Sequence, residues 1–209
     1  MLTILWERRE FFCQLTLEHL AISAVAIFGS ALIGIVLGLW ITEKPKLAPF
    51  VLHSNNIIYT IPSISMFGLL LPFSGIGNLT AIIALTLYGL LPMIGATNTG
   101  IRQINPAIIE AADAMGSSRW QLLYKIKLPL ALPSILTAFR TMVVMIISLA
   151  GVASFIGAGG LGVAIYRGIT TNNSALSVGG SLLIMLLAFS ADSLCAWLAK
   201  KSQWEKANA

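Results

Sequence analysis

Charged side chains are scarce in this sequence: 10% of its 209 residues are Asp, Glu, Lys or Arg, against 57% apolar ones. The mean hydropathy is +0.87. Soluble domains carry roughly a quarter of their residues charged, so this balance excludes a freely soluble fold and implies an integral membrane protein. The 13 Lys and Arg outweigh the 8 Asp and Glu, for a net charge of +5, but they form no block and do not interleave with aromatics, which argues against nucleic acid as a partner. The two cysteines, Cys13 and Cys195, stand at opposite ends. They offer neither a disulfide framework nor a metal site and read as packing residues. The two histidines, His19 and His53, have no Cys or carboxylate at ligand spacing, so no metal centre is expected. No Gly-rich loop with a following Lys and Ser or Thr is present, so the chain is not expected to bind or cleave ATP itself. No nucleophile stands in a triad setting, and "GAGGLG" (157–162) follows an apolar span rather than a strand, which excludes a dinucleotide fold. The chain is therefore expected to be no enzyme.

What is abundant is apolar sequence in long runs. Five windows reach the roughly 20 residues a helix needs to cross a bilayer: about 20–41, 50–71, 78–98, 132–156 and 176–199. The first begins only after the charged "WERRE" and is too long for a signal-peptide core, so it is expected to remain as a span. The second carries His53, Asn55, Asn56 and a central Pro62, and predicts a kinked helix whose polar residues face protein or water. Lys44, Lys46, Arg102, Arg119, Lys125, Lys127, Lys200, Lys201 and Lys206 fall on one side of such a layout, and only Arg8, Arg9 and Arg167 on the other. The positive-inside bias then puts the N-terminus outside. The division that follows is an N-terminal, periplasmic or interfacial segment (1–19), a transmembrane domain (20–199) with a cytoplasmic hairpin at 102–129, and a cytoplasmic tail (200–209). The segment 157–173 is long and glycine-rich, and dipping toward the membrane is open to it only if protein or a wet cavity covers it. Ser30, Gly34 and Gly38 repeat every fourth residue, a spacing for close helix approach, within one subunit or between two.

The hairpin is the most structured polar stretch. Asn105 suits an N-cap, Pro106 the first helical position and Gly116 the left-handed residue that ends a helix. Ser118 and Gln121 form a capping box that starts a second helix, expected to stop near Leu128 because Pro129 follows. In the first helix Ile108, Ala112 and Met115 fall on one face, with Ala111 beside them and Glu110 and Asp113 elsewhere. Two readings of this ridge stay open from the residues alone: docking into a partner's groove, or packing back on the chain's own spans.

Glu110-Ala111-Ala112, three residues, Gly116, nine residues, Ile126, one residue and Leu128-Pro129 resembles the EAA signature of permease subunits of bacterial ABC importers. "TIPSISMFGLLLP" (60–72), "LPLALPSILTAFRT" (128–141) and "SFIGAGGLGVAIYRGI" (154–169) resemble the osmoprotectant branch, which carries glycine betaine, choline or carnitine. The methionine-importer permease is the nearest competitor, and an ion-coupled secondary transporter is a more distant alternative. The resemblance implies an all-α membrane fold of about five transmembrane helices with a cytoplasmic coupling hairpin, like the methionine-importer permease, in the bacterial cytoplasmic membrane. It implies that Glu110, Ala111, Ala112, Asp113, Met115, Gly116 and Ser117 meet an ATP-binding subunit. The implied partners are two such subunits, which use ATP and Mg, a second permease subunit, and a binding protein expected to be a separate chain because this one ends at "KKSQWEKANA". Quaternary ammonium ions have no N–H and are recognised by aromatic faces. Tyr59, Phe67, Tyr88 and Phe155, with Tyr166, are therefore candidates for a pathway lining, and Pro62 and Ser63 are candidates beside them. Arg140 and Asp192 are intramembrane charges expected near the cytoplasmic interface, in a structural role.

Overall fold

In the computed structural model, residues 6–207 are described, the side chains of 201–207 excepted. The first five residues and the last two, which belong to the expected N-terminal segment and tail, lie outside them. The described residues form an all-α bundle. Its elements are α1 (Arg9–Thr42), α2 (Ala48–Thr60), α3 (Ser63–Ser74), α4 (Asn78–Arg102), α5 (Pro106–Ala114), α6 (Arg119–Ala150), a 3-10 turn (Val152–Ile156), α7 (Gly162–Thr170) and α8 (Ser174–Ala207). Among the described residues four helices are long and apolar enough to span a membrane, or five if the bent α2–α3 pair is one span.

Three boundaries differ from the sequence-based expectation. Helix α1 already starts at Arg9, so most of the supposed separate N-terminal segment is continuous with the first span. The second window is broken rather than kinked: α2 and α3 meet at 102°. Ile61 is extended, with φ −69° and ψ 125°, as a residue preceding proline prefers, and Pro62 becomes the cap of α3. Pro129, by contrast, does not stop its helix. The chain passes through a π-helical stretch, Leu122–Lys127, in which Leu128 N–H bonds to Leu123 O. One extra residue per turn makes room for a ring that would otherwise clash with the carbonyl four residues back.

The bundle is centred on α1 and α4, which run parallel. Ser30 Oγ lies 3.0 Å from Thr86 O, a Cβ on Gly34 would overlap Met93 Cβ, and one on Gly38 would lie 2.5 Å from Thr97 Cβ. The small-residue stripe is thus filled by the chain's own α4. Helices α6 and α8 close the bundle, joined by a two-pronged ion pair of Arg140 with Asp192, one prong being Nη2 to Oδ2 at 2.6 Å. The core comprises Ala26, Phe67, Ala84, Leu85, Tyr88, Met93, Met142 and Ile146 among others.

Candidate functional site

The hairpin lies where α1 and α4 end. Asn105 Oδ1 accepts from Ala107 N at 3.0 Å, which opens α5 with Pro106 at its first position. The other end is a Schellman motif: Ser117 N–H bonds to Ala112 O at 3.1 Å and Gly116 N–H to Asp113 O at 2.9 Å, with Gly116 at φ +82°. The capping box follows at once, Ser118 N to Gln121 Oε1 at 2.8 Å and Gln121 N to Ser118 Oγ at 3.3 Å. Both ends of α5 are thus capped by residues of the hairpin itself, which makes α5 a preformed knob.

Its two faces are distinct. Ile109 packs against the core and Ala112 is 1% exposed, so Ala112 faces the chain rather than joining Ile108 and Met115 on an outward ridge. The outward ridge is Ile108, Ala111 and Met115, all exposed, with exposed Glu110, Asp113 and Gly116 around it and Ser117 half-buried. Spacings of three and four residues select both faces, and the small Ala112 lets α5 lie close to the chain. Glu110 also borders a cleft of about 330 Å³ with Thr42, Arg102, Pro106, Ile109 and Lys127.

The aromatic candidates separate into two groups and a core residue. Tyr59 and Tyr88 meet edge to face with centroids 6.0 Å apart, and Tyr88 Oη donates to Ile61 O, at the break between α2 and α3. Pro62 and Ser63 lie at the same break, Pro62 exposed and Ser63 half-buried. Phe155 and Tyr166 form a second edge-to-face pair, 5.3 Å apart, beside the glycine-rich segment. Phe67 is fully buried in the core and lines no open path, and Tyr88 is itself 4% exposed, so of the first pair Tyr59 is the exposed member.

Sequence reasoning missed a polar clamp at the opposite end of the bundle. Asn78 Oδ1 accepts from Gly159 N at 2.8 Å and Glu18 Oε2 from Gly160 N at 3.2 Å. His19, wholly buried, has Nε2 3.0 Å from Ile147 O. Gly160 has φ +90°, and a Cβ there would sit 3.0 Å from His19 Nδ1. The available signal was the glycine run itself, whose bare N–H groups need acceptors when covered by protein.

Comparison with known proteins places this geometry. The family model described as "Binding-protein-dependent transport system inner membrane component" matches residues 30–203. The carnitine transport permease protein of Listeria monocytogenes is 39% identical over 184 residues, 88% of this chain and 82% of that protein. The osmoprotectant import permease protein of Salmonella typhimurium is 39% identical over 198 residues, 92% of this chain and 90% of that protein. Among solved structures, the methionine ABC transporter in inward-facing conformations superposes with a TM-score of 0.85 at 24% identity, covering 94% of this chain and 98% of that one. That last likeness is one of fold.

Proposed function

The chain belongs to the family of inner membrane components of binding-protein-dependent transport systems, and from that membership we propose that it imports quaternary-amine osmoprotectants of the glycine betaine, choline or carnitine type. It is a permease subunit of the ABC-importer fold, set in the inner membrane. Relatives near 39% identity over most of the chain are named for carnitine and osmoprotectants, which favours this class over methionine.

In the proposed assembly two permease subunits stand on two ATP-binding subunits, which use ATP and Mg, and a separate binding protein delivers substrate from outside. The N-terminus and the glycine-rich segment face outward and the hairpin inward. The observation that carries the reading is the preformed α5 knob, capped at both ends, with Ile108, Ala111 and Met115 exposed between Glu110 and Asp113. Seated in the ATP-binding subunit, this knob follows its closure on ATP. Helix α6 transmits the movement to the spans, and the cavity opens outward, then resets inward on hydrolysis. ATP and the loaded binding protein each bias the equilibrium by their unequal affinity for its two states.

The test is Glu110→Lys in the complete complex reconstituted in proteoliposomes. Uptake of radiolabelled glycine betaine and substrate-stimulated ATPase are expected to fall about tenfold, the scale of one lost charge-assisted contact, while the protein still inserts. Unchanged coupling would refute the docking assignment.

A further inference from the structure

Helix α1 and the start of α6 meet over a cavity of about 310 Å³ lined by Leu39, Trp40, Glu43, Arg119, Trp120 and Leu123. Small-molecule sites span roughly 300–1,000 Å³, so the cavity is of a size for a compact ligand. Its chemistry is mixed: two indoles, a carboxylate and a guanidinium share one concavity. Residence at a membrane boundary explains tryptophans and a basic residue singly; what is particular here is that both indoles, Arg119 and the carboxylate of Glu43 line the same cavity. Glu43 and Arg119 are both exposed and are not joined to each other, the ion pair among the described residues being Arg140 with Asp192. Trp40, in the last turn of α1, and Glu43, the residue that caps that helix, are three residues apart, and so are Trp120 and Leu123 on α6, so each pair points to one side. Trp120 stacks on Tyr124, with centroids 5.7 Å apart and planes 9° apart. That offset stack orients the ring, and Trp120 stays 69% exposed, so the indole is open to the cavity.

Aromatic faces beside a carboxylate attract a cation that has no N–H to donate, because the ring quadrupole supplies the attraction without a hydrogen bond. A guanidinium in the same cavity offers a planar fork for a carboxylate. A molecule with a methylated ammonium at one end and a carboxylate at the other satisfies all of these groups. An anion alone leaves the rings and Glu43 unused.

We propose that this cavity is a second ligand site of the permease, facing the cytoplasm, for a small zwitterion bearing a trimethylammonium group and a carboxylate. The identity of the ligand rests on the substrate class proposed above. The site shares no residue with the Tyr59–Tyr88 or Phe155–Tyr166 groups. It joins the end of the first span to the helix that follows the docking knob. A ligand there therefore couples internal concentration to the position of the hairpin whenever the cavity differs between the transporter's states.

The test uses the complex of permease and ATP-binding subunits, without binding protein, in nanodiscs of phosphatidylethanolamine and phosphatidylglycerol. Trimethylglycine and choline are titrated in, and binding is read by saturation transfer to their N-methyl protons. Both ligands are expected to bind. Trp120→Ala should weaken both ligands about five-fold, the size of one partly exposed cation–π contact, and Glu43→Gln about three-fold, the size of one exposed charge pair. Trp120→Phe, which keeps an aromatic face, should hold affinity within about two-fold. Arg119→Ala should weaken trimethylglycine alone, because choline has no carboxylate, and its retained choline binding reports an intact fold. Affinities that none of these changes moves, or an Arg119→Ala loss equal for both ligands, overturn the site. Repeating the titration in phosphatidylcholine separates sources: loss of the free-ligand signal there makes a lipid headgroup the occupant and overturns the proposal. Binding-protein-dependent uptake by the unaltered complex is measured in parallel. Uptake with unmoved affinities refutes this site alone, whereas absence of uptake for every methylated ammonium compound refutes the substrate class.

Discussion

Glycine serves two opposite purposes in this chain, and single substitutions separate them. Gly34 is an ordinary helical residue whose missing Cβ lets α1 touch α4, since a side chain there would overlap Met93. Gly116 has open space around its Cβ position but a φ of +82°. Asparagine tolerates left-handed backbone and β-branched residues do not. Gly34→Asn is therefore expected to destabilise the permease by about 1–3 kcal/mol through overpacking, while Gly116→Asn costs little and Gly116→Val about 1–3 kcal/mol of local strain. Melting of the detergent-purified protein, followed by size-exclusion fluorescence, checks this: Gly34→Asn and Gly116→Val should each melt lower than Gly116→Asn. Equal losses for Gly34→Asn and Gly116→Asn would mean that contact and backbone conformation are not the separate causes described. The same scale explains why Arg140 and Asp192 are tolerated among apolar spans. Each is the other's partner through two parallel N–H to oxygen bonds, and in hydrocarbon an isolated charge would be costly.

At the scale of elements, two prolines show how far sequence rules reach. Both Pro62 and Pro129 were expected to disturb a helix, and the windows of apolar residues located each span. At Pro62 the chain breaks, and Tyr88 Oη takes up the carbonyl of Ile61. That partner lies 27 residues away and no local rule signals it. At Pro129 the helix continues, because a π-helical stretch adds one residue to the turn and α6 gains the packing of a long rod against α4. The caps of the hairpin were legible because every one is local: Asn105, Pro106 and Gly116 around α5 and the Ser118–Gln121 box at the start of α6 lie within four residues of what they satisfy. The clamp of Glu18 and Asn78 on Gly159 and Gly160 was not, since it joins residues 142 and 81 positions apart. The π-helical stretch also sets the rotation of the hairpin about α6. Pro129→Ala lets that stretch relax to a regular α-helix, and removal of one residue from the turn rotates everything before it by about 100°. Substrate-stimulated ATPase of the assembled complex is expected to drop several-fold, with insertion and the amount of protein in the membrane unchanged. A variant that couples normally would show that the extra residue has no part in aiming the knob.

For the whole molecule, function depends on the two ends of the bundle being different. One end is fixed by backbone caps and leaves an apolar knob with acidic flanks. The other is tied by polar side chains that hold a glycine-rich segment and α7, whose exposed surface includes Tyr166 and Ile169. A machine driven by ATP on one side and loaded on the other needs these ends on opposite faces of the membrane, and the proposed orientation, which follows the distribution of Lys and Arg, puts the knob inside. Single cysteines test this directly. In a background with Cys13→Ser and Cys195→Ser, needed because Cys13 is itself exposed, Ile169→Cys and Met115→Cys place a thiol at each end on a side chain that is 61% and 79% exposed. A membrane-impermeant maleimide is expected to label Ile169→Cys in intact spheroplasts and Met115→Cys only in inverted vesicles. Addition of the ATP-binding subunit should then slow labelling at Met115→Cys at least tenfold, because the thiol leaves solvent when the knob is seated, and should leave Ile169→Cys unaffected. Labelling of Met115→Cys from outside would put the knob beyond reach of cytoplasmic ATP, and the proposed coupling would fall with it.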